Sequence, residues 1–451
     1  MARSPDTIAA LATPGGTSAL AVVRITGSDT GRILGEILGS PPPPRTARRG
    51  DYRDRAGAVV DDALFTFFPE PNSYTGEDVL EISCHGNPFI AQKVLEDLFA
   101  RGCRPAEPGE FTRRAFLSGR LDLSQAEAVM DVIHARGERA LAAAQGQLRG
   151  ALGRQMQTLV DGLLDIVAPV EAQIDFPEED LPPEDRGALL ASLESLRRET
   201  ARLLATRHYG ELLRDGIKTV IIGAPNAGKS SLLNRLVGRQ RAIVSAEPGT
   251  TRDFIEERII VGPHCLRLID TAGLNPGAEG LEKLGIAQTR ERIEEADLLL
   301  LVVDANRPTP PISEELKARL TPGKTIVVLN KIDLLAGAPV ADALPAIPGV
   351  AVSALTGTGM EELVAAISRQ ADGFQPVAGE DGIAINARHA QSLTQARDCL
   401  TEALRKLESK APTELLASDL RGALDAFGEI SGRIDNERML DRLFAQFCIG
   451  K

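Results

Sequence analysis

Cysteine is scarce in this sequence and never paired. Cys84, Cys103, Cys265, Cys399 and Cys448 are scattered, with no C-x-x-C among them. An odd, dispersed set fits reduced thiols of the cytosol and excludes both a disulfide framework and a cysteine-ligated zinc site. Long apolar runs are absent too: no stretch reaches the ~18 residues a membrane-crossing helix needs. The opening residues, MARSPDTIAALATPGG, lack a basic segment followed by a clean apolar one. A secretory signal is therefore not expected, and the chain reads as cytoplasmic with no membrane partner. Positive charge is short as well, 51 Lys and Arg against 63 Asp and Glu, for a net charge of −12. That excludes a generally basic surface that coats nucleic acid, though not a local basic patch or a partner that supplies one. What is present is an ordinary globular mixture, 43% hydrophobic and 25% charged over 451 residues. Such a length allows roughly two to four domains with ample core.

Residues 1–118 read as a mixed α/β domain. ALAVVRITG, ALFTFFPEP and DVLEISCHG carry strand signals, rich in β-branched and aromatic residues. FIAQKVLEDLFARG has apolar residues at helical spacing and a glycine stop. The four prolines Pro41–Pro44 and the basic RTARRG after them read as an exposed connection. From about Leu121 the pattern becomes helical. Leu148, Leu152, Met156, Leu159, Leu163, Ile166, Val170 and Ile174 predict one long amphipathic helix, bent at Pro169. DFPEEDLPPED breaks it, and Leu189, Leu193, Leu196, Thr200 and Leu203 begin another helix. Strand–helix alternation follows to about Phe374, after which two more apolar helical stripes run through Leu393–Leu407 and Leu416–Ile430. The two helical stretches each have a face to bury, and burying them together predicts a helical domain interrupted by an α/β domain, the alternative being a separate bundle on each side. The boundaries expected are 1–118, 119–214, 215–376 and 377–451.

The inserted domain opens with IKTVIIGAPNAGKSS. Gly223, Gly228, Lys229 and Ser230 give G-x-x-x-x-G-K-S after an apolar strand, the grammar of a phosphate-binding loop. Glycines let backbone N–H groups close around phosphate oxygens, and the helix that follows points its N-terminus at the same charge. Lys229 would reach the β- and γ-phosphates and Ser230 would hold Mg²⁺. GTTRD then supplies a switch threonine, Thr251, whose hydroxyl would join Mg²⁺. LRLIDTAG sets Asp270 at a strand end as the acid holding Mg²⁺ through water, with Gly273 offering an N–H toward the γ-phosphate. TIVVLNKID ends in Asn330, Lys331 and Asp333. The Asp333 carboxylate can accept from guanine N1–H and the exocyclic amine, a donor pair adenine lacks. In VAVSAL, the Ser353–Ala354 backbone would meet guanine O6. Any one of these can be an ordinary turn or strand end. Together, in order and each at a strand's carboxyl end, they predict a GTP-hydrolysing domain.

One usual part is missing. Leu274 follows DTAG where many small GTPases carry a glutamine that orients water. Glu279 and Glu282, in the glycine-rich segment beyond it, are the available carboxylates, and both can equally be surface acids. Positive charge on the β–γ bridge could come from Arg252, or from a monovalent cation held by the Asn226 side chain inside the loop.

With GAPNAGKS, GTTRD, DTAGL, NKID and the terminal FCIGK, the chain closely resembles the MnmE (TrmE) family of tRNA wobble-uridine modification GTPases. The likeness spans nearly the whole chain and includes TPGG…VRITG, NSYTGEDVLEISCHG and PGEFTRRAFLSGRLDLSQAEA. It implies a multidomain α/β plus α architecture: an N-terminal α+β tetrahydrofolate-binding and dimerisation domain, a discontinuous helical domain and an inserted Ras-like P-loop α/β domain. It implies GTP hydrolysis stimulated by K⁺ when two G domains meet. It further implies a homodimer, a flavin-dependent partner joined in a hetero-oligomer, and tRNA as substrate. The product is an aminomethyl-type group, such as carboxymethylaminomethyl, at C5 of the wobble uridine, built with a 5-formyl- or 5,10-methylene-tetrahydrofolate carbon.

Carried onto this sequence, the GTP contacts are Asn226, Ala227, Gly228, Lys229, Ser230 and Ser231, then Ser245, Ala246, Glu247, Pro248, Gly249, Thr250 and Thr251. Asp270, Thr271, Ala272 and Gly273 follow, then Asn330, Lys331 and Asp333, then Ser353, Ala354 and Leu355. K⁺ would take Asn226, Ser245, the Glu247 backbone and Thr250, and Mg²⁺ would take Ser230 and Thr251. Glu282 matches the family's water-orienting glutamate. Arg24, Glu81, Arg120 and Lys451 match its folate contacts, and Cys448 its C-terminal cysteine, a candidate catalytic group. On their own, the two arginines would read as surface charges and Cys448 as tail packing. Arg120 stands where lysine is common, Leu355 stands where many GTPases have lysine, and Pro248 stiffens the loop before switch I. A rival is a ribosome-assembly GTPase, which expects a basic RNA module that the sequence lacks. A second rival is a nucleotide switch without turnover.

Overall fold

A computed structural model describes residues 6–175, 185–239, 256–270, 291–308, 312, 314–335, 344, 346–347, 349–375, 383–432 and 450. The chain divides into two compact units, one of residues 1–130, 147–161 and 424–451, the other of residues 131–146 and 162–423.

The first unit is built on a six-stranded sheet: β1 (Ile8–Leu11), β2 (Leu20–Thr26), β3 (Arg48–Arg53), β4 (Val59–Phe68), β5 (Val79–His85) and β6 (Arg104–Pro105), in the order β3-β4-β5-β2-β1-β6. Every pair is antiparallel except β1–β6. Period-2 alternation sorts its faces. Ala21, Val23 and Ile25 of β2 and Leu80, Ile82 and Cys84 of β5 share one core with Ile33, Leu34, Val94 and Leu98. Those last four come from the helices Thr30–Leu38 and Pro88–Ala100. The second helix starts where Asn87 caps Phe89 N–H and Pro88 occupies the first turn. The opposite face carries Arg24 and Glu81, directly paired across β2 and β5.

Two sequence expectations change here. The basic stretch after the prolines is not simply a connection, because Arg48–Arg53 forms β3, the sheet's edge strand. Its hydrophobic alternation is hidden by charge: Tyr52 is its one buried residue, and Arg49 pairs with Asp62 of β4. The long helix also does not begin at Leu148. One helix ends there, Glu138–Leu148, and the next runs Ala151–Asp175 through Pro169. Gly150, at φ 82°, turns the chain between them, a left-handed conformation that ends an α-helix.

The second unit holds a mostly parallel sheet: β7 (Ile217–Gly223), β8 (Glu256–Val261), β9 (His264–Asp270), β10 (Leu298–Asp304), β11 (Thr325–Asn330) and β12 (Gly349–Ala351). Its order is β12-β11-β10-β7-β9-β8, with only β8–β9 antiparallel. Both faces are covered by apolar clusters, so the central strands read as unbroken apolar runs such as LLLLVV. The helices Arg186–Ala205 and Ala387–Ser409 pack on each other, and Leu193, Leu203, Leu393 and Leu400 are among their buried residues. One precedes the sheet in sequence and the other follows it, so the α/β domain is inserted within a helical one. Among the described residues, no helix is long and apolar enough to cross a membrane.

Candidate active site

Because β7, β10, β11 and β9 run parallel, their carboxyl ends, Gly223, Asp304, Asn330 and Asp270, reach one edge of the sheet. The phosphate-loop glycines are held there by close packing. Gly223 has φ 152°, and a Cβ on it would stand 2.2 Å from the Val302 carbonyl oxygen of β10. Gly228 has φ 96°, and a Cβ there would stand 2.2 Å from Asn330 Nδ2. Asn226, exposed between them, sits in the left-handed region at φ 62°, which asparagine tolerates better than most residues. Lys229 opens the helix Lys229–Arg239, and its Nζ donates to the carbonyls of Gly223 and Ala224, both at 3.0 Å. Its ammonium is thus turned back over the loop. Ser230 and Ser231 come next along that helix, and Ser231 is exposed.

Asn330 joins the two halves of this edge. It is 2% exposed. Its Nδ2 donates to the Ala227 carbonyl at 3.0 Å, and its Oδ1 accepts from the Ala354 N–H at 3.0 Å. The motif reading made Asn330 a nucleotide contact, whereas its described partners are both protein backbone. Asp333 accepts from the Ser353 hydroxyl at 2.5 Å, which aims its carboxylate. Ser353 Oγ in turn accepts from Thr356 N–H at 3.1 Å. Lys331, at φ 68°, donates to Asp304 Oδ2 at 2.8 Å. Burial alone would raise the Asp304 carboxyl; the Lys331 hydrogen bond, the Asn306 N–H and nearby positive charge outweigh it and hold it below the usual range. Sequence reasoning missed Asp304, although its place at the end of a buried strand was the available signal. Leu355 is 79% exposed.

In the first unit, Arg24 and Glu81 meet. Arg24 Nε and Nη2 donate to Glu81 Oε1 at 3.0 and 2.7 Å, and Nη1 donates to the Gly450 carbonyl at 3.2 Å. The guanidinium lies 5.7 Å from the Tyr74 ring centre and 5.8 Å from that of Phe111, within cation–π range. Neither aromatic was singled out from sequence. Gly450 has φ 95°, and a Cβ there would meet the Leu11 carbonyl at 2.3 Å, so this residue seats closely against β1. Arg120 is exposed beyond the helix Glu110–Leu117, its stem beside Gly76, and no described contact joins it to Arg24 or Glu81. The four described cysteines are unpaired, and burial pushes the Cys103 thiol up to about 12.

Ser245, Ala246, Glu247, Pro248, Gly249, Thr250, Thr251 and Arg252 lie outside the described residues, as do Thr271, Ala272, Gly273, Leu274, Glu279, Glu282, Cys448, Lys451 and the side chain of Asp270.

Comparison with known proteins finds sequence relatives along 99% of the chain. The family of the GTP-binding protein TrmE N-terminus matches residues 7–120, and the MnmE helical domain matches residues 123–448. A protein of Opitutus terrae described as tRNA modification GTPase MnmE is 62% identical over 447 residues, covering 99% of each chain. Proteins of the same description from Akkermansia muciniphila and Symbiobacterium thermophilum are 45% and 43% identical, again over 99% of each chain. The G domain of the T. maritima FeoB iron transporter is 30% identical over 34% of this chain and 98% of its own, at a TM-score of 0.26. With two family domains in series and full-length relatives of this identity, the chain belongs to the MnmE (TrmE) family.

Proposed function

We propose that this chain is a GTP hydrolase that acts in modification of the tRNA wobble uridine. The observation that carries the reading is the single sheet edge where the phosphate loop, Asp333 and the Ser353–Ala354 loop converge around Asn330. Ligands of open α/β sheets bind at that edge. Asp333 would accept from the guanine N1–H and amine, and the phosphate-loop amides and Lys229 would hold the phosphates. Ser230, a hydroxyl in the first turn of the helix beside Lys229, is a hard oxygen donor that fits Mg²⁺, with Thr251 as its partner ligand. Bound Mg²⁺ would supply charge neutralisation at the β- and γ-oxygens. Ala227, Gly228 and Ser231 complete the phosphate cradle. Ser245 to Thr251, and Asp270 to Gly273, are the two switch segments of the reading.

Glu282 orients the attacking water in this proposal, in place of the glutamine that Leu274 replaces. Asn226 would hold K⁺ with Ser245, the Glu247 backbone and Thr250, and two G domains of a homodimer would close on it. Turnover should then rise about tenfold in K⁺ over Na⁺, equivalent to roughly 1.4 kcal/mol of barrier. Equal steady-state rates in the two salts would remove the cation from the mechanism.

The first unit would hold the one-carbon donor, a 5-formyl- or 5,10-methylene-tetrahydrofolate. Its donor set fits that molecule: a guanidinium for the glutamate carboxylate, a carboxylate for the pterin N–H edge and two rings beside them. Arg120 and Lys451 would complete the set, and Cys448 is the candidate reactive group of the tail. Arg24→Ala should weaken a reduced folate about 10- to 100-fold, the worth of a charged hydrogen bond, with GTP turnover unchanged. Equilibrium dialysis reads this, and equal binding by the variant would remove Arg24 from the site. The domains are assigned as 1–118 for folate and dimerisation, 119–214 with 377–451 for the helical domain, and 215–376 for the G domain. A flavin-dependent protein is the proposed partner. The decisive experiment is mass analysis of wobble nucleosides in tRNA from a deletion strain, with and without this chain restored. Unmodified C5 should return to its modified form on restoration, and identical nucleosides in both strains would overturn the reading.

A further inference from the structure

The loop that carries Ser353 and Ala354 is gripped by a residue outside every nucleotide motif. Arg235 lies on the helix Lys229–Arg239 that begins at the phosphate loop. Its Nη2 donates to the Leu355 carbonyl at 3.0 Å. Its Nε is buried and has no hydrogen-bond partner among the described residues. Gly357, across the loop, has φ 92°, and a Cβ there would stand 2.7 Å from Arg235 Nη2 and 3.2 Å from its Cζ. The guanidinium therefore fills the space a side chain at 357 would take.

The rest of the loop is tied elsewhere. Ala354 N–H is bonded to Asn330, Ser353 N–H to the Thr358 carbonyl at 2.9 Å, and Gly357 N–H to the Ser353 carbonyl at 2.8 Å. These bonds secure the loop's entry and return. At the tip, Thr356 is tied within the loop itself, its N–H to Ser353 Oγ at 3.1 Å and its hydroxyl to that of Thr358 at 2.9 Å, and the Leu355 side chain is apolar and exposed. Arg235 reaches the tip from the phosphate side.

We propose that Arg235 is the positioning residue of the guanine loop. It fastens the tip to the phosphate-binding helix, so the base and phosphate halves of the site are held as one body before nucleotide arrives. This deepens the guanine-nucleotide reading above and rests on it. A loop released from Arg235 populates its binding-competent form for a smaller fraction of the time, and affinity for anything that touches the loop falls by that fraction. Affinity for a ligand that touches only the phosphate loop does not change.

The test uses the full chain and two probes, fluorescent GDP and inorganic tripolyphosphate as competitor. Arg235→Ala should raise the Kd for GDP about tenfold and leave tripolyphosphate unchanged. Arg235→Lys should recover part of the loss, because an ammonium can still donate to the Leu355 carbonyl but cannot fill the nest at Gly357. Gly357→Ala should weaken GDP more in the wild-type background than in Arg235→Ala, where the clashing guanidinium is gone. Three results overturn the proposal: an Arg235→Ala affinity for GDP within about twofold of wild type, equal weakening of GDP and tripolyphosphate, or additive effects of the two substitutions. If the alanine variant does not fold, Arg235→Lys and Gly357→Ala carry the test: both should weaken GDP and spare tripolyphosphate, and wild-type GDP affinity in both overturns the proposal. Failure of the underlying reading looks different, since the wild-type chain would then bind GDP no better than ADP.

Discussion

Asn330→Ala is expected to weaken GDP binding about 100-fold, which is roughly 2.7 kcal/mol, and to destabilise the nucleotide-binding domain by about 2–4 kcal/mol. The reason is what the side chain leaves behind. Its amide satisfies one backbone acceptor, Ala227 O, and one backbone donor, Ala354 N–H, and all three residues are buried. Each buried group left without a partner costs about 1–3 kcal/mol, and the vacated volume adds to that. Gly228 packs against the same amide, so the phosphate loop loses a wall as well as a bond. Asn330→Asp should not rescue, because a carboxylate cannot donate to the Ala227 carbonyl and would set one acceptor oxygen against another. Lys331→Ala should cost less, since its pair with Asp304 is partly exposed. Urea unfolding followed beside a fluorescent GDP titration reads both quantities. A stability loss under about 1 kcal/mol with wild-type affinity would show that the tie is dispensable.

Arg114→Met should cost the first unit about 3–5 kcal/mol, the usual penalty for removing one member of a buried ionic cluster. The Arg114 side chain is 6% exposed and pairs with Asp6, Glu77 and Glu110 at 2.8, 3.0 and 2.9 Å. Without it, Glu77 and Glu110 are left with less positive charge around them. The same cluster predicts a pH dependence. Burial by itself would raise the Glu110 carboxyl, but the hydrogen bonds from Arg104, the Glu107 N–H and Arg114 outweigh it and hold it below its ordinary 4.5. A carboxyl depressed in the folded state contributes stability above its unfolded pKa and loses it as pH falls through the folded one. The wild-type unit should therefore weaken as pH drops below 4.5, and Arg114→Met, already lacking part of that contribution, should show a shallower slope there. Unfolding free energies across that range read the slope, and parallel curves for the two proteins would place Glu110's stabilisation elsewhere.

Much of this molecule is legible in one dimension because its determinants are local. The phosphate loop is spelled by glycines whose backbone angles are needed within six residues of each other. The parallel sheet is announced by apolar runs, since strands covered on both faces have no polar side to show. Edge strand β3 is not announced, because an edge tolerates charge at no cost and Arg48–Arg53 has a single buried residue. The break at Gly150 is equally quiet: the leucine spacing on either side continues the same stripe, and only the left-handed backbone separates the helices.

What the sequence determined by itself is the family and the chemical inventory: the motifs in their order, and within them the lysine, hydroxyls and acid proposed above for phosphate, metal and guanine. What only the tertiary structure decided is who meets whom. Asn330 reads only as one member of its motif, and its hydrogen-bond partners lie 103 and 24 residues away on two other loops. Arg24 and Glu81, 57 residues apart, prove to be partners of each other across two strands. Arg235 carries no motif signal, and meets the Leu355 carbonyl and Gly357 because one helix turns it toward their loop. Such pairings depend on strand register and helix direction, which are set by the packing of the whole core, and a linear pattern does not encode them.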